Sequence, residues 1–506
     1  MLKLFGGGKS DHPMANAKEA RRILDELATQ DAYQALQGTS DWLDSVSRHE
    51  GFRVDQRFAL LVTLDDAGQA RVRKLARDYF AAERPSRFQE NRMWTALHDY
   101  WQHAGRAFAR CIDGVLQQSK GADALRAQVP ALVVRTMRAL AQQIKWMHLR
   151  YGPIDTAVWG MLNNVLAFAE ARQVADTKTA PYPGGGETTP REEFLRAALF
   201  SASSPDSLLP VEADLAERLI ASLSAHYAMS PTHAPALAYW TDLGVAMVPA
   251  RATQAPKAAP GLRCFGAGGA LGDLTAAIEK LESSGAVPSD SALTGEDPER
   301  ALDVMRHLAL YWSPTPPARV APRHAVKSRL SVAHGMEGVQ HALDDGGGVF
   351  VSSEDDTESW VVENVSAGGF GAMVPQLKGD WLRVGALVAV QPEGGKNWVV
   401  GIVRRVSKSS GTQARVGIQS LSRAARATGF SIAGVDGEQG IVLSSADATS
   451  PEARLLLRPA VFVPGQNIEA QHEGRHSVYM PQGIVERGED YEIARFREMI
   501  RETGDD

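Results

Sequence analysis

The stretch ENVSAGGFGAMVP, Glu363 to Pro375, reads as a strand, a turn and a second strand. Phe370, Ala372 and Val374 recur every second residue, the period of a strand with one buried face. A plain hairpin would turn on two residues such as Asn-Gly. Here Asn364, Ser366, Gly368 and Gly369 lie together between apolar runs, so the turn is either wide or shaped to hold something. The same period extends outward in both directions. Leu330, Val332, His334 and Met336 alternate upstream, and Trp398, Val400 and Ile402 downstream, with ARVGIQSLS adding another short strand. Several strands separated by glycine-rich turns predict a small antiparallel barrel or sandwich.

Upstream, SPTPPARVAPR, Ser313 to Arg323, marks the change from helical to strand periodicity. Its prolines stop the preceding helix and favour an extended segment. From Ala15 to Val174 the pattern is helical: Trp94, Leu97, Trp101, Ala104 and Phe108 form one apolar stripe, and Val133, Met137, Leu140, Ile144 and Met147 another. Such stripes are helix-packing core. Arg135, Arg138, Gln142 and Lys145 line a different face, which reads as a solvated helix surface rather than a partner site. TAPYPGGGETTPREE, Thr179 to Glu193, has the composition of a linker. Helical patterns resume in REEFLRAALF, VEADLAERLIASLSAHY, LGDLTAAIEKLESSG and DPERALDVMRHLALYW. After Arg423, EARLLLRPAVFVPG and DYEIARFREMI continue the β alternation.

The expected fold class is therefore multidomain α+β. An all-α N-terminal region (1–178, then 189–312) precedes an antiparallel β barrel (313–425) and a small C-terminal β extension (426–506). At 506 residues the chain exceeds the size at which one core keeps growing, which agrees with several domains. Apolar and charged fractions of 44% and 23% are those of an ordinary globular protein. A net charge of −6 argues against a nucleic-acid polymer as partner, so an anionic ligand needs a local cluster of Arg or Lys. The cysteines, Cys111 and Cys264, give neither a disulfide scaffold nor zinc spacing and fit a reducing compartment. No signal-peptide pattern opens the sequence, and no apolar run reaches the ~18 residues of a membrane span, so a cytoplasmic location is expected.

Two features belong together. Arg319 and Arg323 form an RxxxR pair before the first strand, and Asn364, Ser366 and Gly369 form NxSxxG at a strand turn. This combination resembles the PilZ domain, a family of cyclic di-GMP receptors with the pattern RxxxR followed by (D/N)xSxxG. The resemblance covers Ser313 to Arg423, with LRVGALVAV, NWVVGIVRRVSK and ARVGIQSLS similar to the later strands of that barrel. It implies cyclic di-GMP as ligand, bound by Arg319, Arg323, Asn364, Ser366 and Gly369. The sequence HAVKS separates Arg323 from the strand RLSV, so either Arg329 takes one arginine role or the strand begins earlier.

The chemistry fits the implication. A guanidinium pairs bidentately with phosphate or with guanine O6 and N7, and stacks on a base. Glycine permits a close backbone approach that a Cβ would block. The implied mechanism has the ligand ordering an Arg319–Arg323 clasp and so re-orienting the helical region toward a protein partner. Motility, pili or biofilm are the outputs this family suggests. An adaptor that binds no nucleotide is the alternative.

An enzyme is disfavoured, and neither a cofactor nor a metal is expected. GGGKS near the N-terminus has Lys3 where a P-loop needs its first glycine. CFGAGGALGDL, Cys264 to Leu274, has Leu271 where a dinucleotide loop needs its third glycine, and reads as a turn before a helix rather than after a strand. His98 and His103 do not form a ligand pair, and no nucleophile elbow appears.

Overall fold

A computed structural model describes residues 11–81, 86–315, 322–344, 357–432, 434–444, 451–472 and 475–502. They pack into two compact units, one of residues up to 205 and 210–317, the other of 206–209 and residues from 318 onward.

The first unit is built on helices α1 (Ala17–Thr29), α2 (Ala32–Arg48), α3 (Val54–Tyr79), α4 (Arg87–Leu116), α5 (Val129–His148), α6 (Thr156–Ala171), α7 (Pro190–Ala202) and α8 (Pro210–Ser222). Local sequence fixes several of their ends. Ser86 and Gln89 form a reciprocal capping box on α4, as Thr189 and Glu192 do on α7. Both apolar stripes are core: Leu97, Trp101, Ala104 and Phe108 on α4 are buried, as are Val133, Met137, Leu140, Ile144 and Met147 on α5. Trp94 Nε1 donates to the Trp146 carbonyl at 2.7 Å and ties the two helices. Within the Thr179–Glu193 segment Thr179 pairs with Thr188, and α5 packs against α7 beyond it.

The basic face of α5 is not a solvated surface. Arg135 is buried and donates to Asp65 and Asp66 of α3, each at 2.7 Å. Arg138 grips Glu193 of α7 through two bonds of 2.5 and 2.6 Å. Lys145 donates to Asp214 at 2.6 Å and Glu217 at 3.2 Å, both on α8, and Arg196 joins Glu193 to Glu217. The sequence pattern misleads because each cation meets its carboxylate on another helix, at long sequence range. Burial opposes ionisation of Glu193, yet Arg196 and Arg138 outweigh it and hold the carboxyl at about 2. Lys145 and Arg196 likewise overcome burial to hold Glu217 at about 2.

The unit also contains a small sheet that helical periodicity did not reveal. Strands β1 (Ala228–Ser230), β2 (Tyr239–Asp242), β3 (Ala250–Arg251) and β4 (Leu262–Gly266) pair antiparallel in the order β1-β4-β2-β3. They run two to five residues, too short for a periodic signal. A strand therefore does precede the turn of CFGAGG, which leads into α9 (Ala270–Ser284), and α10 (Pro298–Trp312) closes the unit. His98 stacks on Trp94 and His103 bonds Ser40, while Cys111 and Cys264 are both buried and unpaired, so all four side chains sit in structural settings.

The second unit opens with β5 (His324–His334), α11 (Gly335–Asp344), β6 (Glu358–Ser366), β7 (Gly369–Val374), β8 (Leu387–Pro392), β9 (Val399–Lys408) and β10 (Ala414–Ser422). The six strands close into a barrel in the order β10-β7-β6-β5-β8-β9. Met336, expected to continue the first strand, instead opens α11. Gly335 at φ +73° turns the chain, and Met336, Val339 and Ala342 then bury one helical face.

The C-terminal β segment closes into a second barrel, from β11 (Arg426–Ile432), β12 (Val435–Ser444), β13 (Glu452–Leu457), β14 (Ile468–His472), β15 (Arg475–Arg487) and β16 (Glu492–Glu502). Its strands neighbour one another as in the first barrel: first with second and fourth, third with second and sixth, fifth with fourth and sixth. The two barrels share one core. Met336 and Val339 of α11 and Leu387, Val400 and Ile402 of the first meet Ile441, Leu456, Tyr491 and Ile493 of the second. Polar ties reinforce it: Arg404 grips Glu486 through two bonds of 2.6 Å, Tyr491 donates to the Gly385 carbonyl, and Asp490 caps α11 at the Met336 amide.

Candidate ligand site

The site is assembled by the β10-β7-β6-β5 side of the first barrel. β5 begins at His324, directly after Arg323, so the strand starts earlier than RLSV. A bulge between Ala325 and Ser328 absorbs the extra residues. His324 pairs with Val365 and Ala325 with Asn364, and continuing that register sets Arg323 opposite Ser366. Arg323 is exposed and makes no hydrogen bond or ion pair among the described residues. Arg319 lies outside the described residues.

Arg329 is not brought to this place. It pairs with Val361, and its backbone N–H and C=O bond Glu393. It stands four positions along the strand from Ala325, roughly 13 Å at the usual rise per residue.

The turn itself is tight. Ser366 pairs with Gly369, leaving only Ala367 and Gly368 in the loop, and the Ser366 hydroxyl lies 3.4 Å from the Gly369 carbonyl oxygen. Gly369 is required by its own barrel: a Cβ there would fall 1.9 Å from the Ile418 carbonyl oxygen on β10. Asn364 lies over Gly371, where a Cβ would come 2.6 Å from its Nδ2. Its amide makes no side-chain hydrogen bond among the described residues.

The outer wall beside the turn carries three glycines, with the Asn364 amide lying over one of them. Ala372 and Val374 on β7 and Val416 and Ile418 on β10 point inward and are buried. The alternate positions, facing outward, include Gly369, Gly371 and Gly417, with Gly371 and Gly417 directly paired across the strands. Gln419, paired with Gly369, accepts a 2.7 Å bond from Arg404 Nε at the rim of this ledge. Gly371, Gly417 and Gln419 escaped the sequence reading, although GFGAM and RVGIQ carry the signal of glycine at outward strand positions. A glycine-lined wall bearing the Asn364 amide and edged by a hydroxyl and an exposed guanidinium can accept a planar ring and a neighbouring anion.

Two family models match the chain: the N-terminal domain of the cyclic-di-GMP receptor FimW over residues 18–233, and the middle PilZ domain of that receptor over residues 351–427. Together they cover more than half of the 506 residues. The chain belongs to the FimW family. The FimW middle PilZ span holds Asn364, Ser366 and Gly369 together with Gly371, Gly417 and Arg423. It begins after β5, so Arg319, Arg323 and Arg329 precede it. The FimW N-terminal span takes in the whole buried ionic cluster of α5, α7 and α8. No curated protein matches the chain.

Proposed function

We propose that the chain is a cyclic di-GMP-binding effector whose PilZ barrel receives the dinucleotide at the Asn364–Gly369 turn. What supports the reading is the β5 register, which carries the exposed Arg323, without a partner among the described residues, level with that turn beside the ledge of Gly369, Gly371 and Gly417. A guanine ring stacks beside the Asn364 amide against this ledge, whose glycines add no side chain of their own. Asn364 offers a donor and an acceptor to a base edge, and Ser366 a hydroxyl. Arg323, with Arg319 before it, supplies planar bidentate donors for phosphate or for guanine O6 and N7. Membership of a cyclic-di-GMP receptor family supports this assignment. It also favours a binding protein over an enzyme.

The proposed output is a change in protein contacts made by the helical region, controlling motility, pili or biofilm. Arg319 and Arg323 lie in the segment joining that region to the barrel, so ordering them gives ligand binding a mechanical route between the two. No described helix is long and apolar enough to cross a membrane, and we place the effector in the cytoplasm, where a nucleotide messenger is available.

Calorimetric titration of the full chain with cyclic di-GMP, with GMP as control, tests the proposal. Saturable binding of the cyclic dinucleotide with far weaker binding of GMP is expected. No heat at high micromolar ligand would favour the adaptor reading instead.

A further inference from the structure

We propose that Arg423 is a further guanidinium of this site, contacting a phosphate of the ligand from the side opposite Arg323. The proposal rests on the cyclic di-GMP reading above and deepens it. Arg423 stands in the three-residue connection between β10, ending at Ser422, and β11, beginning at Arg426. Its Nη2 donates to the Ala367 carbonyl at 3.3 Å, and the Ser420 amide donates to the Gly368 carbonyl at 2.9 Å. Both carbonyls of the two-residue turn are thus held by the end of β10, and the guanidinium is fixed beside the motif.

Arg423 is exposed, and its one hydrogen bond among the described residues goes to that neutral carbonyl. No carboxylate among them pairs with it, unlike Arg415, which lies 3.3 Å from Glu363. A guanidinium has five donor hydrogens, so most of its capacity is unspent. In the strand order β10-β7-β6-β5 the turn lies between Arg423 on one side and Arg323 on the other. β10 and β5 stand on opposite walls of the closed barrel, and the start of β5, the turn and the end of β10 share one end of it, where two long side chains and a ligand with two phosphates can meet. Two separate phosphates on one ligand are best met by cations on two sides.

The test uses the full chain with Arg423→Gln and Arg423→Lys, titrated with cyclic di-GMP at low and high salt. Arg423→Gln is expected to weaken binding about 10-fold at low salt and to flatten the salt dependence, because a screened charge contact is lost. Arg423→Lys keeps the charge and should retain the salt dependence with a smaller loss. Both variants should melt with the wild type, since the side chain is exposed. Affinity of Arg423→Gln within twofold of a binding wild type removes Arg423 from the site and leaves the site itself standing. Equal losses in both variants with wild-type salt dependence would overturn the phosphate contact and reduce Arg423 to a brace for the turn. A wild type that does not bind would bring down the site reading, and this proposal with it.

Discussion

Replacing Glu193 by Gln tests the buried ionic cluster of the helical unit. Glu193 is fully buried and faces two guanidinium groups, Arg138 at 2.5 and 2.6 Å and Arg196 at 2.9 Å. Gln keeps the shape but takes the carboxylate from Arg138 and leaves Arg196 with Glu217. Breaking a buried pair from one side costs ~3–5 kcal/mol, because the remaining charge stays desolvated. The depressed pKa of the carboxyl points the same way. It falls from the usual value of 4.5 to about 2 in the folded protein. At 1.36 kcal/mol per pH unit, that difference is worth roughly 3 kcal/mol. Because the folded value is depressed, this stability is present above pH 4.5 and is lost as pH falls toward 2. Urea unfolding followed by helical circular dichroism at pH 7 and at pH 3 measures both effects. The variant should lose roughly 3 kcal/mol at pH 7, and the gap to the wild type should narrow at pH 3. A variant within 0.5 kcal/mol of wild type at pH 7, a threshold set at about the size of ordinary surface substitutions, would refute the argument that these charges hold the helices together.

Two other expectations concern the turn. Gly369→Ala drives a Cβ to 1.9 Å from the Ile418 carbonyl, so β7 must shift from β10. A loss of ~1–3 kcal/mol, the usual cost of overpacking, should appear as a lower barrel melting temperature and faster amide exchange along β7 and β10; unchanged exchange would contradict the close approach. Ser366→Ala gives up a long 3.4 Å contact within the turn, so calorimetry should find weaker cyclic di-GMP binding while the melting temperature stays unchanged. A sharp fall in melting temperature would mean that the hydroxyl serves the turn.

Local patterns were legible wherever their cause was local. The stripes of α4 and α5 and the alternation in β7 and β10 follow from side-chain periodicity, and most of those residues are buried, with Trp94 and Phe370 partly exposed; β9 buries Val399–Val403 without alternation. NxSxxG was legible because its residues fall within one hairpin. What depends on distant pairing was hidden. The basic face of α5 finds its carboxylates on α3, α7 and α8, and nothing in the spacing of Arg135, Arg138 and Lys145 points there. The strands of the small sheet are too short to show a period. The reason for Gly369 lies on β10, almost fifty residues away, and Arg423 reaches the turn only because β10 pairs with β7. The bulge in β5 hid the true start of the strand, and with it the register that sets Arg323 opposite Ser366.

Calorimetric titration of cyclic di-GMP into the wild-type chain and Arg323→Ala is the most direct measurement. A charge-assisted bond to Arg contributes ~1.5–3 kcal/mol, so the account predicts that the wild type binds and the variant binds roughly 10- to 100-fold more weakly. Equal affinities would show that the exposed Arg323 guanidinium beside the glycine ledge does not hold the ligand.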